Sequence, residues 1–257
     1  MITKTIIRRP NGTLGFASDE IQSPLAVFNS LETVLQKHNV LSHPFFQMLH
    51  CGGLAPDTLR IFCKQFYHIV KNFPRMVSAV HFNTEEIRIR QLLLRILQDE
   101  ESGKEHSLEL WILFSESIGV TRNELEQTAM LQCTKSFIET MNDFCRNRSY
   151  IEGLASLYAF ESQMPELLKT NAEGLIKFYN VTAKGAIKFF TVRQEKEASH
   201  CFLHRELIEN NVSKENFMKV TFAAEKTAFA FVRFVNGIYE FHGRTLRTAQ
   251  SILPRIR

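Results

Sequence analysis

The stretch FFTVRQEKEASHCFLHREL, residues 189–207, decides the fold. Four polar side chains in it recur at helical spacing, and at roughly 100° per residue they project from one side of a helix. We call this set the polar stripe: Arg193, Glu197, His200 and His204. Apolar residues flank the stripe, whereas Glu195, Ser199 and Glu206 fall on the opposite side. The polar stripe is therefore predicted to face the protein interior, where charge is costly unless it is paired or bound to metal.

Nearly all of the remaining chain also shows helical patterning, with Ser, Thr or Asn before apolar-periodic segments and Gly or Pro at their ends. We find no β-alternation of useful length and no internal repeat. The sequence predicts an all-α fold, a bundle of about eight helices. Predicted boundaries are a helix start at Ser23–Pro24, an N-cap at Asn83 or Thr84, a capping box of Thr121 with Glu124, one helix from Tyr150 to about Lys169, and a Phe-rich helix from Ser213 to about Tyr239.

The composition predicts one large domain. The chain has 257 residues and is 44% hydrophobic with 22 Phe, and no stretch rich in Pro, Gly or Ser divides it. We expect an N-terminal extension over residues 1–23, a helical domain over 24–243 and a basic C-terminal tail over 244–257. The tail holds four arginines and no acid, which predicts either a solvated segment or a contact with an acidic partner or membrane surface.

Charge and cysteine usage exclude several classes of protein. A net charge of +4 is too small to indicate nucleic-acid binding. The five cysteines show no CxxC spacing, so neither a disulfide framework nor a zinc ribbon is indicated. We find no apolar run long enough for a transmembrane segment and no signal-peptide core. A cytoplasmic protein is the expected result.

Two further segments could supply carboxylates to the polar stripe. In LQDEESGKEHSLELW, residues 97–111, Glu100 ends one helix and His106 begins the next. In LYAFESQMP, residues 157–165, Glu161 lies mid-helix among apolar neighbours that would bury it. Non-haem di-iron bundles use Glu and His from several facing helices in this way.

These strings carry a resemblance to a known family. Preceded by CKQFYHIVKNFPRMVSAVH (63–81) and followed by FFTVRQEKEASH (189–200), they resemble in order the haem-oxygenase-like di-iron oxidase family, which includes the TenA and PqqC proteins. The similarity covers roughly residues 26 to 240. It implies a helical bundle around a di-iron site that activates O2. The branch to which the chain is most similar makes para-aminobenzoate for folate by consuming one of its own tyrosines, so the implied substrate is a small molecule or the protein's own side chain.

The family's metal pattern can be placed on this chain residue by residue. Glu100 matches by context but lies one residue too close to the histidine that follows, whereas Asp99 gives the expected interval. Arg193 occupies the position of the first histidine in the last motif. The resemblance implies these metal ligands: Glu100, His106, Glu161, Glu197 (in place of an aspartate) and His200.

Arg193 puts the iron site in question. Arginine stays protonated and offers no lone pair, and its charge would repel a nearby metal ion. It could instead take the cation's place among Glu161, Glu197 and either Glu100 or Asp99, because a buried carboxylate cluster needs positive charge from iron or from arginine. His204 is expected to lie too far along the helix from Arg193 to fill the vacated corner.

The residues linked to the self-consuming reaction are also altered. Phe46 stands where the resemblance implies the sacrificed tyrosine. Tyr158, three residues before Glu161, is the best-placed replacement donor, so it joins Arg193 as a candidate catalytic residue. The other altered positions are Phe62, Phe66 and Phe160 for neighbouring tyrosines, and Asn171 for the amine-donating lysine, with Lys169 close by.

Two classes of function are consistent with the sequence. The first is an iron-dependent oxidase or oxygenase, on the para-aminobenzoate route or another route of cofactor biosynthesis, with a degenerate metal site. The second is a metal-free pseudoenzyme that acts as a protein-interaction module. A TenA-like thiaminase is a weaker third reading, because neither Cys133 nor Cys145 lies in a supporting motif. Pairing of two chains through the Phe-rich helix is left open.

Overall fold

A computed structural model describes the backbone of residues 6–8, 14–16 and 24–252, and the side chains of residues 28–241. Over these residues the structure is almost entirely helical, which confirms the all-α prediction. A 3-10 helix covers Val40–Ser42. The α-helices are α1 (Pro24–Lys37), α2 (Pro44–Cys51), α3 (Pro56–Phe82), α4 (Ile87–Glu101), α5 (Ser107–Ser117), α6 (Arg122–Gln127), α7 (Gln132–Asn147), α8 (Tyr150–Glu161), α9 (Met164–Tyr179), α10 (Lys184–Asn211) and α11 (Phe217–Ile252).

Over the described residues the α-helices are more numerous than predicted, eleven in place of about eight, and the Phe-rich helix covers Phe217–Ile252 in place of Ser213 to about Tyr239. The segment expected to run from Tyr150 to about Lys169 is divided at Ser162 and Gln163 into α8 and α9. Pro165 lies in the first turn of α9, where its missing N–H breaks no helical hydrogen bond. Pro165 therefore marks the start of a second helix, whereas apolar periodicity alone predicted one continuous helix.

Local capping chemistry explains two other boundaries. The predicted capping box is present, because the Thr121 side chain accepts from the Glu124 N–H and the Glu124 side chain accepts from the Thr121 N–H. The predicted cap at Asn83 or Thr84 is wrong: α4 begins at Ile87, after Glu86. Thr84 Oγ1 instead accepts from the Glu86 N–H at 3.2 Å, forming a turn ahead of the helix.

The two ends of the chain add detail to the predicted division. Two antiparallel three-residue strands, β1 (Ile6–Arg8) and β2 (Leu14–Phe16), pair within the N-terminal extension, with Ile6 opposite Phe16. Residues 10–12, whose sequence Pro-Asn-Gly is typical of a turn, lie outside the described residues. At the other end α11 continues to Ile252, so the expected boundary at residue 243 falls within a helix.

α8 and α10 lie at the centre of the bundle. α10 packs against α5, α8 and α9, and α11 packs against α7 and α8. The core is rich in aromatic rings; Trp111, for example, lies within 4.8 Å of Phe66 and 4.7 Å of Phe189, measured between ring centroids. This packing places α10 between α8 and the junction of α4 and α5.

Candidate metal centre

α10 turns the polar stripe inward, as predicted. The exposed fractions are 6% for Arg193, 0% for Glu197, 1% for His200 and 0% for His204, whereas Glu195 and Ser199 are exposed. Glu100 from α4 and Glu161 from α8 are buried opposite the stripe. A guanidinium, three carboxylates and two imidazoles are thus enclosed together, and each must find a partner within the protein.

Arg193 forms one half of this cluster, together with the α4–α5 junction. Its Nη1 lies 2.6 Å from both carboxylate oxygens of Glu100 and 2.5 Å from Oγ of Ser107. Its Nη2 donates to Oε1 of Glu197, one turn along α10. The guanidinium therefore bridges two buried carboxylates from different helices, Glu100 and Glu197, which are two of the carboxylates among which the sequence placed it.

The charge on Arg193 is fixed by these contacts. Burial alone would lower the pKa of a guanidinium, but Glu100 and Glu197 outweigh burial and raise the pKa of Arg193 above its usual value. The Phe189 ring, centred 5.6 Å from Cζ, covers the side chain. Arg193 is a permanent cation within the cluster.

Glu161 forms the other half of the cluster, between two imidazoles. Nδ1 of His200 lies 3.0 Å from Oε1 of Glu161, and Nε2 of His204 lies 2.6 Å from Oε2. The second contact does not have hydrogen-bond geometry, so it is a close approach of two polar atoms only. The other nitrogen of His200, Nε2, is 3.1 Å from Oδ2 of the half-exposed Asp99.

The pKa shifts follow from this crowding of charges. Burial raises the pKa of Glu197 to about 8, because Glu161 and Glu100 add to it and Arg193 offsets only part. For Glu161, burial is outweighed by His204 and His200, which hold its pKa below the usual range. Burial also opposes the charge on His200, yet Glu161 raises the pKa of that imidazole to about 9. At neutral pH both raised pKa values favour the protonated form, so protons on Glu197 and His200 offset carboxylate charge when no metal ion is bound.

Several buried polar atoms in the cluster have no hydrogen-bond partner among the described residues. They are Oε2 of Glu161, Oε2 of Glu197 and both ring nitrogens of His204. One ligand atom each from Glu161, Glu197 and His200 lies within 4.8 Å of the others. Unpaired buried oxygens and nitrogens are costly, and a bound cation would satisfy them. The residues present therefore fit one metal ion on the Glu161 side of the cluster.

The remaining predicted site residues lie at the edge of the cluster or beyond it. Nδ1 of His106 accepts from the Glu109 N–H at 3.4 Å as the N-cap of α5, and its side chain lines a cavity of about 230 Å³ beside Glu100. Tyr158 is buried one turn before Glu161, but its hydroxyl donates to Oε1 of Glu32 on α1 at 2.5 Å. Burial and Glu32 raise the pKa of Tyr158.

Three contacts in the cluster were not found from the sequence. Ser107 accepts a hydrogen bond from Arg193. Serine is common in the first turn of a helix, so nothing in the sequence indicated this contact. Asp99 contributes as a partner of His200, and not only as an alternative to Glu100. His204 contacts the Glu161 carboxylate and not Arg193. Its spacing of four residues from His200 was the available signal.

The phenylalanines that stand at the family's tyrosine positions are buried core residues. Phe62 contacts Phe46 and Phe66, with ring centroids 5.9 and 5.3 Å apart. Phe160 packs beside them in the neighbouring ring cluster, 5.6 Å from Phe73. None of these rings carries a hydroxyl, and Lys169 is exposed.

Comparisons with known proteins define the class. The TENA/THI-4/PQQC family model matches residues 31–228, and the chain belongs to this family. It is 32% identical over 220 residues to the 4-aminobenzoate synthase of Nitrosomonas europaea, covering 82% of this chain and 89% of that protein. It is 30% identical over 212 residues to the 4-aminobenzoate synthase of Chlamydia muridarum, covering 82% and 89%.

The solved structures agree on the fold. A domain of unknown function with a heme oxygenase-like fold from Shewanella denitrificans superposes with a TM-score of 0.72 at 13% identity, covering 87% of this chain and 94% of that one. At this identity the likeness concerns the fold alone. It confirms the haem-oxygenase-like bundle expected from the sequence.

Proposed function

We propose that this chain is a metal-dependent oxidoreductase of cofactor biosynthesis that consumes O2 and is related in function to 4-aminobenzoate synthases. Membership in the family and the similarity to relatives of that name support the proposal. The observation that carries the proposal is the buried group of Glu161, Glu197 and His200. Each of its two carboxylates has one oxygen without a hydrogen bond among the described residues. Buried carboxylate oxygens without a hydrogen bond are costly, and a bound cation would satisfy both of them at once.

The cofactor we propose is iron. Glu161, Glu197 and His200 would hold it, and the chemistry that iron supplies when bound there is the activation of O2. Arg193 keeps Glu100 and one oxygen of Glu197 in place through its two nitrogens. The predicted ligands Glu100 and His106 lie on the Arg193 side, where they could serve a second ion only if Arg193 were absent.

The cavities indicate an external small molecule as substrate. A pocket of about 20 Å³, lined mainly by apolar side chains such as Phe66 and Phe160, borders Arg193 and has room for a molecule the size of water or O2. The cavity of about 230 Å³ beside His106 and Ser107 is large enough for a small organic compound. Substrate would then approach from the α4–α5 junction.

We expect the protein to be catalytic and not self-consuming. Phe46 offers no phenol, and the Tyr158 hydroxyl is held by Glu32. Iron-loaded protein supplied with O2, a reductant and an extract of a 4-aminobenzoate auxotroph should therefore form more than one 4-aminobenzoate per chain, measured by mass spectrometry. Expression should also restore growth of the auxotroph.

Two variants make this test specific. Glu161→Gln should abolish product, whereas Tyr158→Phe should keep it while lowering the melting temperature, because a hydrogen bond to a carboxylate is lost. Product limited to one per chain, and absent in Tyr158→Phe, would show that Tyr158 is the consumed residue. No product and no growth with the wild-type chain would refute the proposed reaction.

A metal-free interaction protein is the second candidate. It is favoured by Arg193, which already neutralises charge on Glu100 and Glu197. It is also favoured by apolar side chains exposed along α11, where Met218, Phe222 and Phe229 are 72%, 50% and 45% exposed. A protein partner or a second copy of the chain would bind this face. The iron-loading experiments described below separate the two candidates.

We also propose a cytoplasmic location. The five cysteines are free in the structure, as a reducing compartment requires. No helix in the described part of the chain has the length and apolar character needed to cross a bilayer.

A further inference from the structure

The cluster divides into two positions where a cation can be placed. At the first, Nη1 and Nη2 of Arg193 already contact three carboxylate oxygens, two from Glu100 and one from Glu197. A metal ion cannot enter this position without displacing the guanidinium. The positive charge of the guanidinium would also repel the metal ion. At the second position, the Glu161 carboxylate contacts the imidazoles of His200 and His204. Buried polar atoms without a hydrogen bond remain at this position.

Two histidines one turn apart on α10 bracket the Glu161 carboxylate. Nδ1 of His200 is 3.0 Å from one oxygen, and Nε2 of His204 is 2.6 Å from the other. Among the described residues, His200 belongs with Glu161 and Glu197 to a group whose ligand atoms lie within 4.8 Å of one another, and His204 does not. His204 is fully buried and neither of its nitrogens has a hydrogen-bond partner among the described side chains. It contacts the Glu161 carboxylate at the other oxygen, outside this group.

The surrounding contacts suit a ligand role for His200 and Glu197. Nε2 of His200 faces Asp99 at 3.1 Å, and a metal-binding histidine characteristically donates its other N–H to a carboxylate. Glu197 gives Oε1 to Arg193 and leaves Oε2 unpaired. One carboxylate can therefore serve the guanidinium and the ion together.

Charge balance also favours a single ion. When the three buried carboxylates of the cluster, Glu100, Glu161 and Glu197, are all ionised, as metal binding requires of its ligands, they outnumber the one buried guanidinium by two negative charges. One divalent ion with neutral imidazoles makes the cluster neutral, whereas two would leave it with an excess of positive charge in a poorly solvated site.

We propose that the site binds one divalent metal ion through Glu161, Glu197 and His200, and that Arg193 stands in the position of a second ion. Asp99 orients His200 in this arrangement. The inference deepens the proposed function and rests on it for the identity of the metal, but it concerns the number of ions and the ligand set alone.

The test is ferrous iron bound to the full-length chain under anaerobic conditions. We expect one iron per chain after desalting, and on addition of nitric oxide one S = 3/2 electron-paramagnetic-resonance signal that integrates to one spin per chain. His200→Gln should weaken iron binding more than the about 10–100-fold that loss of an outer contact costs. Asp99→Asn should fall within that range.

His68→Gln is the matched control, because His68 is a mostly buried histidine on α3 that bonds the Thr128 carbonyl outside the cluster. Its affinity for iron should equal that of the wild type. Two irons per chain, or unchanged affinity in a folded His200→Gln variant, would overturn the inference and leave the proposed function standing. One iron without O2 consumption would refute the function and leave the inference standing. Absence of iron, cobalt and manganese binding would overturn both.

Discussion

Replacing Arg193 by alanine is expected to lower the free energy of unfolding of the metal-free protein by about 3–5 kcal/mol. The side chain is 6% exposed and is the cation that holds Glu100 and Glu197 together. Its removal leaves two buried carboxylates without their partner, and proton uptake recovers only part of the loss. Urea denaturation monitored by circular dichroism measures the change.

An exposed ion pair provides the matched control. Arg88 lies 2.6 Å from Glu206, with 73% of the Arg88 side chain exposed. Arg88→Ala should cost no more than about 1 kcal/mol, because solvent screens such pairs. A divalent ion added to Arg193→Ala should restore part of the lost stability, since it supplies the missing positive charge. Equal losses in the two variants would show that Arg193 does not hold the cluster together.

Arg193→His is expected to change the metal content from one ion per chain to two. The substitution removes the charge that repels a second ion and releases Glu100 from its contacts at 2.6 Å. It also places an imidazole opposite Glu100, close to the cavity that His106 lines. Glu100 and His106 would then act as the ligands that the family resemblance implied.

Arg193→Gln separates the two effects of this change. Glutamine removes the charge without adding an imidazole, so it should bind the second ion much more weakly than Arg193→His does. Inductively coupled plasma mass spectrometry gives the ion count. A count that stays at one in a folded Arg193→His variant would show that Arg193 is not what excludes the second ion.

The sequence predicted the direction of the polar stripe but not its pairing. Helical periodicity places four side chains on one face, and the apolar flanks bury that face, so Glu197 and His204 could be assigned to the interior. Which partner each residue meets depends on how α8 and α4 approach α10. The pairing of His204 with Glu161, and of Asp99 with His200, follows from that packing and not from spacing along the chain.

Helical periodicity also made the fold predictable. The boundaries of the individual helices were less predictable. Apolar periodicity and the ordered motifs indicated the all-α bundle, and the structure confirms it. The division of α8 from α9 depends on Pro165, and the start of α4 depends on a single Thr84 hydroxyl contact. Such local contacts shift a boundary by a turn while leaving the hydrophobic pattern unchanged.

We expect a guanidinium to occupy one of the two cation positions in the cluster and a metal ion to occupy the other. The most direct measurement is an anomalous difference map at the iron edge from crystals of the wild-type chain loaded with ferrous iron. We predict one peak, next to Glu161 and His200, with Arg193 still in contact with Glu100. Two peaks, with the Arg193 side chain turned away from Glu100, would contradict the account.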